Sequence, residues 1–255
     1  MEPLLELRDI HYAYHSRSGE TPALSNISFT VHDGEFIAIV GPSGCGKSTL
    51  LSLIFGLLPP ESGTILLRGR EMKDSHTEIG YMLQKDHLFE WRTIYQNVML
   101  GLEIQKKITP ETKERVEKML YTYGLSRFRD CRPSELSGGM RQRAALIRTL
   151  ALDPELLLLD EPFSALDYQT RIAVCDDISS IIKEEHRTAI LVTHDLSEAI
   201  STADRVFILT SRPATLKTII PIHMEAVDRT PLKSRNAPEF KDYFNKIWKE
   251  MNTNA

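Results

Sequence analysis

The stretch GPSGCGKST at residues 41–49 restricts the fold more than any other part of the chain. Glycine costs a helix or strand interior up to about 1 kcal/mol relative to alanine, so a cluster of them requires a reason. The run before it, EFIAIV (35–40), is short, apolar and rich in branched residues, the pattern of a buried strand. The run after it, LLSLIFGLL (50–58), is apolar, built from helix formers and closed by Pro59 and Pro60, the pattern of a helix and its stop. The cluster therefore joins a strand to a helix start, where unpaired N–H groups and a partial positive charge suit an anion. Gly41, Gly44 and Gly46 let the loop curl, so that Gly41, Pro42, Ser43, Gly44, Cys45 and Gly46 wrap around phosphate oxygens. Lys47 adds a full charge for the β- and γ-phosphates, the Ser48 hydroxyl is suited to magnesium, and Thr49 completes the loop. The pattern G-x-x-x-x-G-K-[ST] is met residue for residue, and a nucleotide with Mg2+ is the expected ligand. Cys45 reads as a small filler inside the loop, and alkylation of its thiol is expected to obstruct nucleotide binding.

With 255 residues the chain can build one large α/β unit or two small ones around a sizeable core. A formal net charge of -4, with no long run of one sign, argues against a nucleic-acid partner. No stretch reaches the roughly 18–20 apolar residues of a membrane-spanning helix, and the opening does not resemble a signal peptide. Three well-separated cysteines, Cys45, Cys131 and Cys175, suit neither a disulfide framework nor a metal site and point to a reducing cytosol.

Along the chain, LLELRDIHYAYHS alternates apolar and polar residues as a half-buried strand does, and ALSNISFTVHDGEFIAIV reads as a strand, an Asp33-Gly34 turn and the strand entering the loop. ESGTILLRGREM (61–72) and EIGYMLQKDH (78–87) give further strands, the second ending near Gln84. These early strands are expected to be short and antiparallel. Residues 93–150 have helical spacing. Thr109, Pro110 and Glu111 mark one helix start, and Gly124 suits its end. Strands then return at ELLLLD (155–160), TAILVTH (188–194) and RVFILTS (205–211), alternating with helical segments. The tail carries Phe240, Phe244, Ile247 and Met251 at helical spacing.

Hydrolysis needs more than a phosphate loop. Asp160 ends a buried strand, which places its carboxylate at the sheet edge, where it can hold magnesium; Glu161 follows and can orient or deprotonate the attacking water. His194 and Gln84 also end strands, and Tyr12 and Tyr14 offer rings for adenine. Taken alone, these four residues are equally at home as structural or packing groups.

LSGGMRQR (136–143) decides among families. Ser137, Gly138 and Gly139 form a second anion-friendly helix start, far along the chain from the first, and a single small nucleotide hardly needs both from one chain. In the order GPSGCGKST, Gln84, LSGGMRQR, LLLLDE, SALD (164–167) and Thr193-His194, the chain resembles the ATP-binding subunits of ATP-binding cassette (ABC) transporters over about residues 4–222. That resemblance implies a P-loop NTPase (RecA-like) α/β core with an antiparallel β subdomain and an inserted α-helical subdomain. The ATPase domain would span 1–225, its helical part about 89–150, with a tail over 226–255.

The resemblance further implies that two copies sandwich two ATP molecules, each copy lending Ser137, Gly138, Gly139 and Asp167 to its neighbour's site. Glu161 would be the catalytic base, His194 a γ-phosphate contact, and Gln84 a sensor of magnesium and γ-phosphate that reports to a permease. Ser48, Gln84 and Asp160 would hold Mg2+, and Tyr14, or Tyr12 in its place, would stack on adenine. Met140 stands where many relatives carry glutamine, so no contact is carried over to it. HLFEWRTIYQNVMLGL (87–102) and ALDYQTR (165–171) resemble the branch that imports nitrate, sulfonates and taurine. Relatives import thiamine-pyrimidine or riboflavin-like precursors, and soluble cassette ATPases that remodel assemblies form a rival class. An importer subunit would sit on the cytoplasmic face of the membrane, on permease subunits served by an extracytoplasmic solute-binding protein. Phe89 and Trp91 would line the permease groove or serve as ordinary packing.

Overall fold

The computed structural model describes residues 2–17, 19–72, 78–224 and 230–253. Strands β1 (Leu5–Ser16), β2 (Gly19–Val31), β4 (Ser62–Leu67) and β5 (Arg70–Glu71) form an antiparallel sheet in the order β2-β1-β4-β5. Strands β3 (Phe36–Val40), β6 (Ile79–Met82), β7 (Leu156–Asp160), β8 (Thr188–Val192), β9 (Arg205–Leu209) and β10 (Leu216–Pro221) form a second sheet in the order β10-β9-β3-β8-β7-β6. All neighbours in it are parallel except the pair β9–β10. Every residue of β3, β7 and β8 is buried, which is why they read as unbroken apolar runs.

Side chains along each central strand alternate between two cores. Ala38, Val40, Leu157, Leu159, Ala189 and Leu191 join the cluster beneath the helices. Ile37, Ile39, Leu156, Leu158, Ile190 and Val192 join the one shared with the antiparallel sheet and helix α1 (Lys47–Phe55). The helical face carries α2 (Ile94–Ile104), α3 (Pro110–Thr122), α4 (Gly138–Leu150), α5 (Tyr168–Glu184), α6 (Leu196–Thr202), α7 (Pro231–Arg235) and α8 (Phe240–Asn252). Thr109 caps α3 with Pro110 at the first position, as its sequence indicates.

Three expectations change. The first two strands are long, 12 and 13 residues. Register shifts, with Asp9 and Asn26 at φ 50° and 51°, reset the alternation so that Leu5, Leu7, Ile10 and Ala13 all stay buried. Strand β6 is not antiparallel; it pairs in parallel with β7, a partner far along the chain. Helix α1 stops before the prolines, because Gly56 takes a left-handed φ of 80° and the Leu57 N–H bonds back to the Ser52 carbonyl at 2.9 Å. In the tail, α8 buries Ile247 completely and packs Phe240, Phe244 and Met251 on the helical core. The expected boundary at 225/226 lies outside the described residues.

Candidate nucleotide site

The parallel sheet brings its carboxyl ends to one edge, where open α/β sheets bind ligands. The phosphate loop follows β3, Gln84 follows β6, Asp160 and Glu161 lie at the end of β7, and His194 follows β8. Ser43, Gly44, Gly46, Lys47, Ser48, Thr49, Glu161, His194 and Arg212 line one cleft of about 520 Å³. Arg212 follows β9 and was not singled out in the sequence, where it stands beside a proline in a polar turn.

Gly46 caps α1 at φ 122°, a conformation open to glycine, and a side chain there would meet Leu24 Cδ2 at 3.0 Å. Lys47 is buried, and its Nζ donates to the carbonyls of Gly41 at 2.9 Å and Pro42 at 3.0 Å. Among the described residues it has no carboxylate within ion-pair distance. A buried ammonium solvated only by carbonyls is poised for an anion. Cys45 fills space behind the loop, as its place in the sequence suggests. Its side chain is buried in the apolar core, with the thiol pushed up by burial, so the sulfur does not face the anion space. An alkyl group on this sulfur would have to push the loop off the core, so any obstruction of the cleft would come through distortion of the loop.

Ser48 Oγ donates to Asp160 Oδ1 at 3.0 Å and the Tyr81 hydroxyl to Oδ2 at 3.3 Å. Burial raises the Asp160 pKa, and these two hydrogen bonds offset part of the rise. A hydroxyl and a carboxylate already in contact are hard oxygen donors of the kind Mg2+ takes, so the residues fit that ion. Glu161 holds φ at 45°, an uncommon left-handed value that costs roughly 1–3 kcal/mol. It is held there by its N–H to the Val192 carbonyl at 2.8 Å and by the Ser164 hydroxyl on its own carbonyl at 3.0 Å. Such strain at a strand end aims the carboxylate into the cleft. His194 Nδ1 approaches Glu161 Oε2 at 3.2 Å, and Gln84 Nε2 approaches the same oxygen at 3.4 Å.

The Tyr14 hydroxyl pairs with Thr49 Oγ1 at 2.9 Å, and Tyr12 meets the Tyr14 ring edge-on at 5.1 Å between centroids. Tyr14 is the exposed member, while Tyr12 packs against the core. Ser137, Gly138, Gly139 and Asp167 do not line the cleft. They form a separate corner. Ser137 caps α4 and Asp167 caps α5 through the Thr170 N–H; the Thr170 hydroxyl first, and then that N–H, lower the Asp167 pKa. A Cβ on Gly139 would stand 2.8 Å from Val174 Cγ2, so this glycine also permits the close approach of α4 and α5. Met140 donates its backbone N–H to Ser137, and its side chain packs against the core.

Sequence reasoning also missed the clamp behind Gln84. Arg141 Nε and Nη2 reach Asp86 Oδ2 at 2.9 and 2.8 Å, and Arg148 donates to the carbonyls of Asp86 and His87 at 2.7 and 2.8 Å. Asn97, fully buried, fastens the next segment through Phe89, Arg92 and Thr93. Phe89 and Trp91 stay exposed with their rings 4.6 Å apart.

A family model described as "ABC transporter" matches residues 24–164. The chain belongs to the ABC transporter family. The uncharacterized ABC transporter ATP-binding protein YtlC of Bacillus subtilis is 46% identical over 249 residues, covering 98% of this chain and 96% of YtlC. The aliphatic sulfonates import ATP-binding protein SsuB of Bacillus licheniformis is 39% identical over 98% of this chain and 94% of its own length. The nitrate import ATP-binding protein NrtD of Synechocystis sp. is 39% identical over 95% and 93%. Among solved structures, the dimeric post-hydrolysis state of the ATP-binding cassette MJ0796 bound to ADP and Pi superposes with a TM-score of 0.73 at 27% identity, covering 86% of this chain and 99% of that one. The α/β cassette fold and the resemblance read from the sequence are both met. This ABC chain is an ATPase, and ATP is its nucleotide. Among the described residues no helix is long and apolar enough to cross a membrane.

Proposed function

We propose that this chain powers a membrane importer of small anionic solutes of the nitrate, sulfonate and taurine kind. One observation supports the hydrolytic half of this reading: Lys47, Ser48, Glu161 and His194 line one cleft, with Asp160 hydrogen-bonded to Ser48 and Gln84 beside Glu161. The importer half rests on near full-length similarity to proteins named for sulfonate and nitrate import.

In this reading Lys47 and the loop N–H groups from Ser43 to Thr49 bind the phosphates at the start of α1, and Tyr14, braced by Thr49, offers its ring to adenine. Ser48, Asp160 and Gln84 would hold Mg2+, which would supply positive charge beside the phosphates. Glu161 accepts the proton of the attacking water, while His194 orients that carboxylate and contacts the γ-phosphate. A second copy brings its Ser137, Gly138, Gly139 and Asp167 to the open side of the cleft, so ATP joins the two copies. Hydrolysis and phosphate release remove that attraction, and the population shifts to the open pair. The segment after Gln84 passes the motion to permease subunits at the cytoplasmic face, and a solute-binding protein supplies the cargo. The ATPase domain runs to about residue 225, with 89–150 as its helical part, and the 226–255 tail packs back onto it through α8.

The test is to tag the chain in its native host, solubilise the membranes gently and identify what copurifies. A multi-spanning permease is expected, and its binding protein should take up nitrate, a sulfonate or taurine. Vitamin precursors as the bound solute would change the cargo, and soluble partners alone would overturn the importer reading.

A further inference from the structure

We infer that Arg212 is a positioning residue of the nucleotide site: it braces the phosphate loop at Gly44 and draws the ATP polyanion into the cleft. This rests on reading the cleft as the ATP site. Strand β9 lies beside β3 in parallel, with Val40 opposite Ile208, so the segment after β9 emerges next to the phosphate loop. Arg212 Nη2 donates to the Gly44 carbonyl at 2.7 Å, and Gly44 sits at the loop's exposed bend with φ 73°.

The turn that carries Arg212 is itself anchored. Thr210 accepts the Thr215 N–H at 2.8 Å, the Ala214 N–H donates to the Ala23 carbonyl at 2.9 Å, and the Ser25 N–H donates to the Ala214 carbonyl at 2.9 Å. The brace therefore connects the phosphate loop to both sheets. A loop of glycines has many shapes to lose when it binds phosphate, and a fixed donor on its bend removes part of that loss beforehand.

Charge gives the second argument. Arg141 meets Asp86 at 2.8 Å and Arg171 meets Asp195 at 3.9 Å, whereas Arg212 has no carboxylate within ion-pair distance among the described residues. Its guanidinium keeps unused donors at the mouth of a cleft whose other cation, Lys47, is likewise unpaired by carboxylate. Two such charges facing one space attract a polyanion, and the exposed one is screened by salt.

The test compares R212Q and R212K with the wild-type full-length chain, using a fluorescent ATP analogue for affinity and steady-state ATPase for kcat and KM. R212Q should bind about ten-fold more weakly, with KM rising in step and kcat changing less than about two-fold. Its affinity should depend less on salt than the wild type's, and R212K, which keeps the charge, should recover most of the loss. The thermal midpoint should not move, since Arg212 is exposed. Affinity, KM and salt dependence of R212Q within two-fold of wild type would overturn the inference, as would equal losses in both variants with a lowered midpoint. Lys47→Ala separates the two levels: retained affinity in that variant removes the site reading itself, whereas its loss beside a normal R212Q removes the Arg212 role alone.

Discussion

Glu161 Oε2 lies 3.2 Å from His194 Nδ1 and 3.4 Å from Gln84 Nε2, so one carboxylate oxygen faces two side chains that come from the two strands flanking β7. The second oxygen carries neither of these contacts. That division suits a base: one oxygen is held while the other meets water. Glu161→Gln keeps the shape and removes the proton acceptor. Turnover should fall about 10²–10⁴-fold with ATP affinity preserved, and ATP should hold the variant as a dimer. Steady-state ATPase with size-exclusion chromatography in ATP checks this. Near wild-type turnover removes Glu161 from the role of base.

The clamp on the segment after Gln84 gives a second prediction. Asp86 accepts from Arg141 and also from the Leu88 N–H at 3.1 Å, while Arg148, its pKa lowered by burial, spends two donors on backbone carbonyls. Arg141 belongs to the same helix start as Ser137, so Asp86 ties Gln84 to the corner proposed to face a second copy. Asp86→Ala should cost roughly 1–2 kcal/mol of stability. Hydrogen exchange should quicken over 84–89, and kcat should fall while ATP affinity holds. Unchanged exchange in that segment would show that the clamp is idle.

How much of this was readable beforehand follows from where each residue sits in its pattern. Gln84, Asp160, Glu161 and His194 each close an apolar run, and the end of such a run marks the sheet edge without any knowledge of strand order. Arg212 lies in the polar turn after such a run, and its approach to Gly44 depends on β9 lying beside β3, a long-range order that local periodicity does not carry. The direction of the Cys45 side chain was unreadable for a related reason: a glycine-rich loop has no period, so nothing in the string says which side chain turns inward. The same holds for Asn97 and Arg148, whose polar side chains fasten backbone carbonyls. Helix α7, five residues long, is too short to show a period.

The thiols separate by burial. Cys45 and Cys175 are buried, the first raised by burial against the pull of Lys47 and the second pushed up to about 12 by burial. A raised pKa starves the thiolate at neutral pH, and the thiolate is the species that reacts. A disulfide reagent at pH 7.5 should titrate Cys131, which is partly exposed, well before the other two, and all three only after denaturation. Raising the pH should quicken the slow thiols without ATP protecting Cys131. Rapid reaction of Cys45 in the folded chain, blocked by ATP, would return its sulfur to the anion space.

The tail is part of the folded unit, and its contribution is measurable. Ile247 is fully buried among residues of the helical core, and Phe244 and Trp248 stack beside it with rings 6.4 Å apart. Lys217 of β10 reaches the end of α8, donating to the carbonyls of Thr253 at 2.6 Å and of Glu250, so a cation closes the negative end of the helix. Ile247→Ala removes buried methyl groups and leaves a cavity, at a cost of about 2–5 kcal/mol. The urea midpoint should fall accordingly, while the folded variant keeps its ATP affinity because α8 lies on the helical face and lines no part of the cleft. An unchanged midpoint would mean that α8 docks without contributing to the stability of the core.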